Sequence, residues 1–399
     1  MSAPSPHVVL VANARMPSQR AQSVQLAQAA RGYHRAGARV TLLHARRRDT
    51  PGGRPAAEVL GELLSTGADA DCAELVAIPC IDWIDAVPQR LQFVPARAQE
   101  WSFGRGAARW VERNAPGALV IARDVEVAHR LRSRGRVAWE VHRVPGGSLR
   151  RRWAAEALAA GVRPIAISSG VAEDLAHPEL GALDVPVEHD AVDEHLAAAL
   201  PDRSEARQRL GLDSERPVVL YAGGLLRWKG VDVLVEAARD PRLAGALVLV
   251  VGGMDRDAAA LRARAAGASN VRIDGFRPAG DVPLYLAAAD VGVVPNRAAP
   301  RISSHYTSPL KVFEALASGL PLVVSDLPSL RDVLDEETAT FVEAEDAAAL
   351  AGGVATLLGD PDLRARRATR GRERVARATW TARARRVLDQ LGSAQEVPA

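Results

Sequence analysis

Short apolar runs alternate with longer amphipathic segments along the chain, in two successive series of six runs each. The first series is His7–Ala12, Ala38–Ala45, Glu74–Pro79, Ala118–Ala122, Arg136–His142 and Pro164–Ser168. The second is Pro217–Gly224, Ala246–Gly253, Asn270–Gly275, Asp290–Pro295, Leu320–Ser325 and Thr338–Glu343. Each run has the length of a strand buried on both faces, and helix-length segments such as Ser18–Ala36, Ala107–Asn114 and Arg150–Ala160 lie between them. That alternation predicts βαβ units and parallel sheets. The pattern breaks in the polar stretch Asp184–Asp202, so an α/β chain of two doubly wound domains is expected, hinged there. A length of 399 residues suits two such domains.

Composition narrows the function classes. The net charge of +3 is small, and the pI of 9.2 reflects arginine content, so no nucleic-acid partner is expected. No apolar stretch approaches the roughly 18 residues of a membrane span, and the N-terminal run is too short for a signal sequence. Cys72 and Cys80, the only cysteines, are read as reduced core thiols of a cytoplasmic protein. Nine arginines against Glu140 and Glu156 over Arg130–Arg163 form a solvated helix face or a patch for an anionic acceptor or membrane surface. Five of the 16 aromatics fall in Trp83–Trp110 and are read as helix core in preference to a substrate-facing insertion. The ten arginines between Arg364 and Arg386 are read as a solvated helix face.

Of 51 basic residues, only Lys229 and Lys311 are lysines. A lysine is a compact charge suited to a phosphate oxygen, where arginine presents a planar fork. Lys229 follows the pair Gly223–Gly224 and precedes Gly230, which opens a helix. Glycine after a parallel strand lets backbone N–H groups approach an anion, and the helix N-terminus adds positive potential. Lys311 lies in Ser308-Pro309-Leu310-Lys311-Val312-Phe313-Glu314, where Ser308 is expected to cap a helix with Pro309 in its first turn. Glu314 then stands in mid-helix, either solvent-facing or as a carboxylate accepting from sugar hydroxyls.

The second half resembles the nucleotide-sugar domain of retaining GT-B glycosyltransferases of family 4, glycosyltransferase group 1. The residues that carry the resemblance are Gly223, Leu225, Lys229, Gly230, Leu234 and Ala237, then Val251–Gly253, Val271, Gly275 and Phe276, then Ala288–Asp290 and Pro295, and finally Glu314–Ala317, Gly319 and Pro321. The turn His189–Asp193 and Trp380 also match. The resemblance implies a GT-B fold: two Rossmann-like domains facing each other across a cleft, an acceptor domain over 1–190, a nucleotide-sugar domain over 191–375, and a final helix, 376–399, crossing back.

It further implies that Lys229 holds the donor diphosphate and Glu314 the ribose, with Gly223, Gly224, Arg227, Ser308, Leu310 and Lys311 around the phosphates and Phe276 and Arg277 beside the base. His142, after an apolar strand, resembles the family's histidine near the reacting centre. Asn13, Arg15, Ser18 and Arg123 follow strands on the acceptor side. The expected activity is retaining, metal-independent transfer from a nucleotide-diphosphate sugar, a substrate and not a cofactor, to a hydroxyl of an anionic or lipid-linked acceptor, with peripheral contact at the inner face of the membrane. Two positions depart from the pattern. Tyr306 stands where the first glutamate of the family's E-x7-E block falls, and Gly224 where an arginine often follows the first glycine. A nucleotide-sugar 2-epimerase and a non-catalytic sugar-nucleotide-binding partner stay open as alternatives.

Overall fold

The computed structural model describes residues 5–392 except 19, 49, 51, 52, 68 and 183. The outer ends of the expected first and last segments, 1–4 and 393–399, and position 19 of the first helix lie outside the described residues. All twelve apolar runs form strands: β1 (His7–Ala12), β2 (Arg39–Arg46), β3 (Glu74–Pro79), β4 (Leu119–Ala122), β5 (Val137–Val141), β6 (Arg163–Ala166), β7 (Val218–Ala222), β8 (Leu247–Val251), β9 (Val271–Gly275), β10 (Val291–Val294), β11 (Leu322–Ser325) and β12 (Ala339–Val342).

They build two six-stranded parallel sheets, ordered β3-β2-β1-β4-β5-β6 and β12-β11-β10-β7-β8-β9. Both are doubly wound orders whose direction reverses at one point, between β1 and β4 and between β7 and β10, and the crevice at the carboxyl ends there is where such sheets bind ligands. In the first sheet Val11 lies beside Ala122, so Asn13 and Arg123 leave the strands as neighbours. In the second, Gly292 lies beside Leu220.

Burial explains why the central strands are apolar at successive positions. Val9 and Val11 of β1 face one core cluster while Val8, Leu10 and Ala12 face another. Such a strand, covered on both faces by helices, has no position left for a polar residue. Each fully buried valine contributes roughly 1.5–3 kcal/mol relative to exposure.

The linker and the chain's return run side by side. The Val192 N–H donates to Ala378 O at 2.9 Å, and the Trp380 N–H to Val192 O at 3.1 Å. Beyond this crossing the helix Trp380–Gly392 packs on Ala21–Arg35, with Trp380 buried in the first domain's core and its backbone so close to Gly32 that any side chain there would collide. Asp193 anchors the linker to Arg31 at 2.6 Å, both side chains buried.

The domains also touch beside the cleft. Ser168 Oγ donates to His305 O at 2.7 Å, the Ser169 N–H to Asp332 Oδ2 at 2.8 Å, and Arg301 Nη2 pairs with Asp174 Oδ1 at 2.6 Å.

Three expectations are corrected. Trp83, Phe93 and Trp101 are exposed and Trp110 only partly buried, leaving Phe103 alone of those five in the core; the helix extends over Phe93–Asn114 and buries the face carrying Phe103, Ala107 and Val111. The terminal arginines are not all solvated: Arg383 is buried and bound to Glu140, because its helix crosses onto the first domain. Ser308 does not cap its helix; Pro309 is the N-cap residue, and Ser308 Oγ accepts from the Asp190 N–H at 2.7 Å. The cysteines are unpaired, with Cys72 buried and Cys80 half-buried.

Candidate donor site

The two lysines, 82 positions apart in the chain, meet at the carboxyl end of the second sheet. Lys229 ends a short turn, Arg227–Lys229, that follows β7, and its ammonium lies 4.5 Å from the Trp228 ring centroid. Lys311 is in the first turn of the helix Leu310–Ser318, with its Nζ 4.0 Å from the Tyr221 ring centroid and 3.6 Å from where a Cβ on Gly223 would stand. That Nζ is closed off from solvent and has no hydrogen-bond partner among the described residues. A cation–π contact offsets only part of the desolvation of such a group.

The backbone approach here explains two glycines. Gly230 has φ +64° and would drive any Cβ into Pro295 O; Gly252, at φ +109°, would drive one into Gly223 O. The loops after β7, β8 and β10 are thereby drawn together, and the Arg297 N–H donates to Trp228 O at 2.9 Å.

Electrostatics set the charge states. Burial lowers Lys229 to about 8, against an opposing pull from Asp190. Lys311 is held well below the ordinary lysine value by burial and then by the charge of Lys229, with Glu314 opposing. Glu314 is raised to about 7 by burial, with Lys311 offsetting part of this and Asp193 adding to it. Asp190 is raised to about 6, chiefly by burial, while accepting from Gln25 Nε2. Buried cations and carboxyls drawn together at the carboxyl end of one sheet suit a site for an anionic, hydroxyl-bearing ligand.

Across the cleft, Glu140 is buried at the end of β5. Burial alone would raise it, but Arg383 at 2.7 Å, Arg123 at 2.9 Å and the hydrogen bond with His142 hold it well below the usual carboxylate range. His142 Nε2 lies 2.8 Å from Glu140 Oε1. A carboxylate only accepts, so Nε2 carries the proton and Nδ1 remains an acceptor. Burial, with Arg123 next, lowers the His142 pKa and keeps the ring neutral near pH 7.

The remaining sequence-derived candidates divide. Gly223 and Ser308 sit among the converging loops, while Gly224 and Arg227 are exposed beside them. Leu310 packs against the first domain's core cluster. Phe276 is half-buried after β9, and Arg277 Nε donates to Tyr285 Oη at 3.1 Å. Tyr306 is drawn away: its ring joins the first domain's core cluster and its hydroxyl bonds Asp174. On the acceptor side, the Asn13 amide is locked with Gln99 at 2.7 and 2.6 Å, Ser18 Oγ accepts from the Arg20 N–H at 3.2 Å, and Arg123 is consumed by Glu140 and Gln25. Arg15 stands nearby, its carbonyl accepting from Ser23 Oγ at 2.7 Å.

Asn296 was missed. It follows β10 at the switch point, is fully buried, and neither its amide oxygen nor its nitrogen has a partner among the described residues. Its place one residue beyond the apolar run was the only signal. No group of three or more His, Cys, Asp or Glu is arranged to hold a metal ion among the described residues.

A family model described as "Glycosyl transferases group 1" matches residues 202–374. The alpha-maltose-1-phosphate synthase of Mycobacterium tuberculosis is 30% identical over 273 residues, 63% of this chain and 68% of that protein. The chain belongs to the group 1 glycosyltransferases. It is also 32% identical over 214 residues to the D-inositol 3-phosphate glycosyltransferase of Salinispora arenicola; this match spans 49% of this chain and 46% of that protein, so the chain spans about half the length of that curated relative. Among solved structures, sucrose-phosphate synthase from Thermosynechococcus elongatus has a TM-score of 0.74 at 21% identity, covering 98% of this chain and all of that one. Anabaena HepE in complex with UDP and glucose has a TM-score of 0.70 at 16% identity, covering 97% of this chain. This group 1 member has the GT-B fold, as expected from its sequence.

Proposed function

We propose that this protein is a retaining glycosyltransferase that moves a sugar from a nucleotide diphosphate to an acceptor hydroxyl without a metal ion, the donor sugar being its substrate and no resident cofactor being needed. The observation that carries this reading is the convergence of the chain's only two lysines on one partly closed site at the switch point of the second sheet. Negative charge grows on the departing β-phosphate, and Lys229, Lys311 and the N-terminus of the helix Leu310–Ser318 stabilise that charge more in the transition state than in the ground state. Glu314 accepts from ribose hydroxyls. Neutral His142, held by Glu140, offers Nδ1 to a hydroxyl of the transferring sugar. In this reading residues 1–190 take the acceptor, 191–375 the donor, and 376–399 fasten the two. The acceptor is an anionic or lipid-linked alcohol reached from the cytoplasmic face of the membrane.

The complex of HepE with UDP and glucose makes UDP-sugars the first donors to test. The decisive experiment is a thermal-shift panel of UDP-, GDP- and ADP-sugars with and without chelator, followed by product analysis. A nucleotide at a hundred times its Kd adds about 2.7 kcal/mol of stability. Expected are one stabilising nucleotide without metal and a glycosylated acceptor with the donor's anomeric configuration. An epimerised sugar, binding without turnover, an inverted product or a strict metal requirement would overturn the reading.

A further inference from the structure

Eight large apolar side chains stand exposed among the described residues, and five of them fall between positions 83 and 101: Trp83 (57%), Leu91 (56%), Phe93 (67%), Val94 (71%) and Trp101 (47%). They occupy the turns after β3 and the first turns of the helix Phe93–Asn114. Phe93, Arg97, Trp101 and Arg105 follow one another at four-residue spacing and so form a single stripe along that helix. The Arg97 guanidinium lies 4.9 Å from the Phe93 ring centroid; those of Arg105 and Arg130 lie 5.6 and 5.9 Å from the Trp101 ring. A sixth exposed residue, Leu149, joins this face, because the neighbouring Arg150 pairs with Glu100 of the same helix.

Charge surrounds the patch with one dominant sign. Arg90, Arg97, Arg105, Arg109 and Arg113 are exposed; of the acids in the same stretch, Glu100 is shared between Arg97 and Arg150 and Asp82 pairs with Arg47, while Glu112 is exposed beside Arg113. Contiguous exposed aromatics usually mark a surface that meets something else. Here the occupant must accept tryptophan and phenylalanine rings together with exposed arginine stems and heads.

We propose that the face formed by Trp83–Trp101 and its arginine rim docks this protein on an anionic lipid bilayer. Tryptophan belongs at the boundary between headgroups and acyl chains, and arginines lay their stems on apolar surface while their heads reach lipid phosphates. A second copy fits less well, since a two-fold contact through this patch buries arginine heads of one copy in the arginine-bearing face of the other. The contact is peripheral, as no helix among the described residues is long and apolar enough to cross a membrane. Position adds to the argument. Gln99, on the buried face of this helix, bonds Asn13 at the carboxyl end of β1, so the helix that carries the docking face reaches the first domain's side of the cleft. Only the link to a lipid-borne acceptor rests on the transferase reading; the docking does not.

The test is cosedimentation of the full chain with vesicles of phosphatidylcholine alone or with about 30 mol% phosphatidylglycerol. We expect at least about tenfold tighter binding to the anionic vesicles, weakened about tenfold when salt rises from about 0.1 to 0.5 M. A Phe93→Asp/Trp101→Asp variant should lose binding by at least about tenfold, with the melting temperature and nucleotide thermal shift unchanged because both side chains are already in water. Arg97→Gln/Arg105→Gln, which alters only exposed charge, should lose the preference for anionic vesicles. No binding to either vesicle, binding unaltered in both variants, or a solution dimer that Phe93→Asp/Trp101→Asp dissociates would overturn the proposal. If vesicles bind and no nucleotide shifts the melting curve, the docking stands and the transferase reading falls.

Discussion

Raising the pH should weaken nucleotide diphosphate binding, and replacing Lys311 by methionine should flatten the response. Burial outweighs Asp190 and lowers Lys229 to about 8, and burial, then the charge of Lys229, hold Lys311 well below the ordinary lysine value. The titratable neighbours of this pair are Asp190 on the linker, acting on Lys229, and Glu314 on the helix of Lys311, which in turn faces Asp193. A bound diphosphate supplies the counter-charge the site lacks and draws both amines back towards the ordinary 10.5. For Lys229 alone, a shift from 8 to 10.5 weakens affinity about tenfold between pH 7 and 9, since at pH 9 roughly nine-tenths of the free sites must first take up a proton. At pH 8 Lys229 takes up about half a proton on binding, and Lys311, held well below its ordinary value, adds to that uptake, so Lys311→Met should reduce it. Calorimetry with UDP in two buffers of different ionisation heat reads the uptake directly. The empty protein has the complementary signature. The folded lysines bind fewer protons than the unfolded ones, so their contribution to stability rises as pH climbs from about 8 to 10.5. A pH-independent affinity with no proton uptake between pH 7 and 9 would refute the argument and show both amines already charged.

If Lys229 holds the donor phosphate as proposed, Lys229→Ala should lower kcat/KM by about 30- to 1,000-fold, some 2–4 kcal/mol, in steady-state transfer assays. Glu314→Gln should raise the donor KM several-fold with kcat nearly unchanged, because ribose contacts are made equally in ground and transition states. Arg383→Met strands buried Glu140 with Arg123 and His142 alone and should cost about 3 kcal/mol in urea unfolding. Tyr306 supplies no carboxylate to a sugar, so bare nucleotide diphosphate should recover most of the sugar donor's stabilisation; a sugar donor binding more than about tenfold tighter would contradict this.

The sequence by itself determined the two parallel sheets. All twelve apolar runs became strands because a strand covered on both faces is apolar for most of its length, and their shortness and flanking glycines and prolines set them apart from helix segments. It also isolated Lys229 and Lys311, since two lysines among 51 basic residues stand out without any structure. What only the tertiary structure decided is where long-range partners send a side chain. Ser308 has the composition of a cap, yet its hydroxyl accepts from Asp190 because the linker passes over the helix start. Arg383 sits in a basic run that reads as solvated, yet the crossing of the last helix buries it on Glu140, 243 positions away. Tyr306 occupies a donor-site position and is pulled onto the other domain by Asp174. Asn296 is marked locally only by its place after an apolar run, and the lack of a partner for its amide among the described residues emerges only when β10 is set between β7 and β11. The aromatics of Trp83–Trp101 are apolar enough for a core, but the helix buries its alanine-rich face instead and leaves them in solvent. Periodicity reports which residues a strand or helix can bury; the packing of neighbours distant in sequence decides which face meets the core and which polar groups find partners.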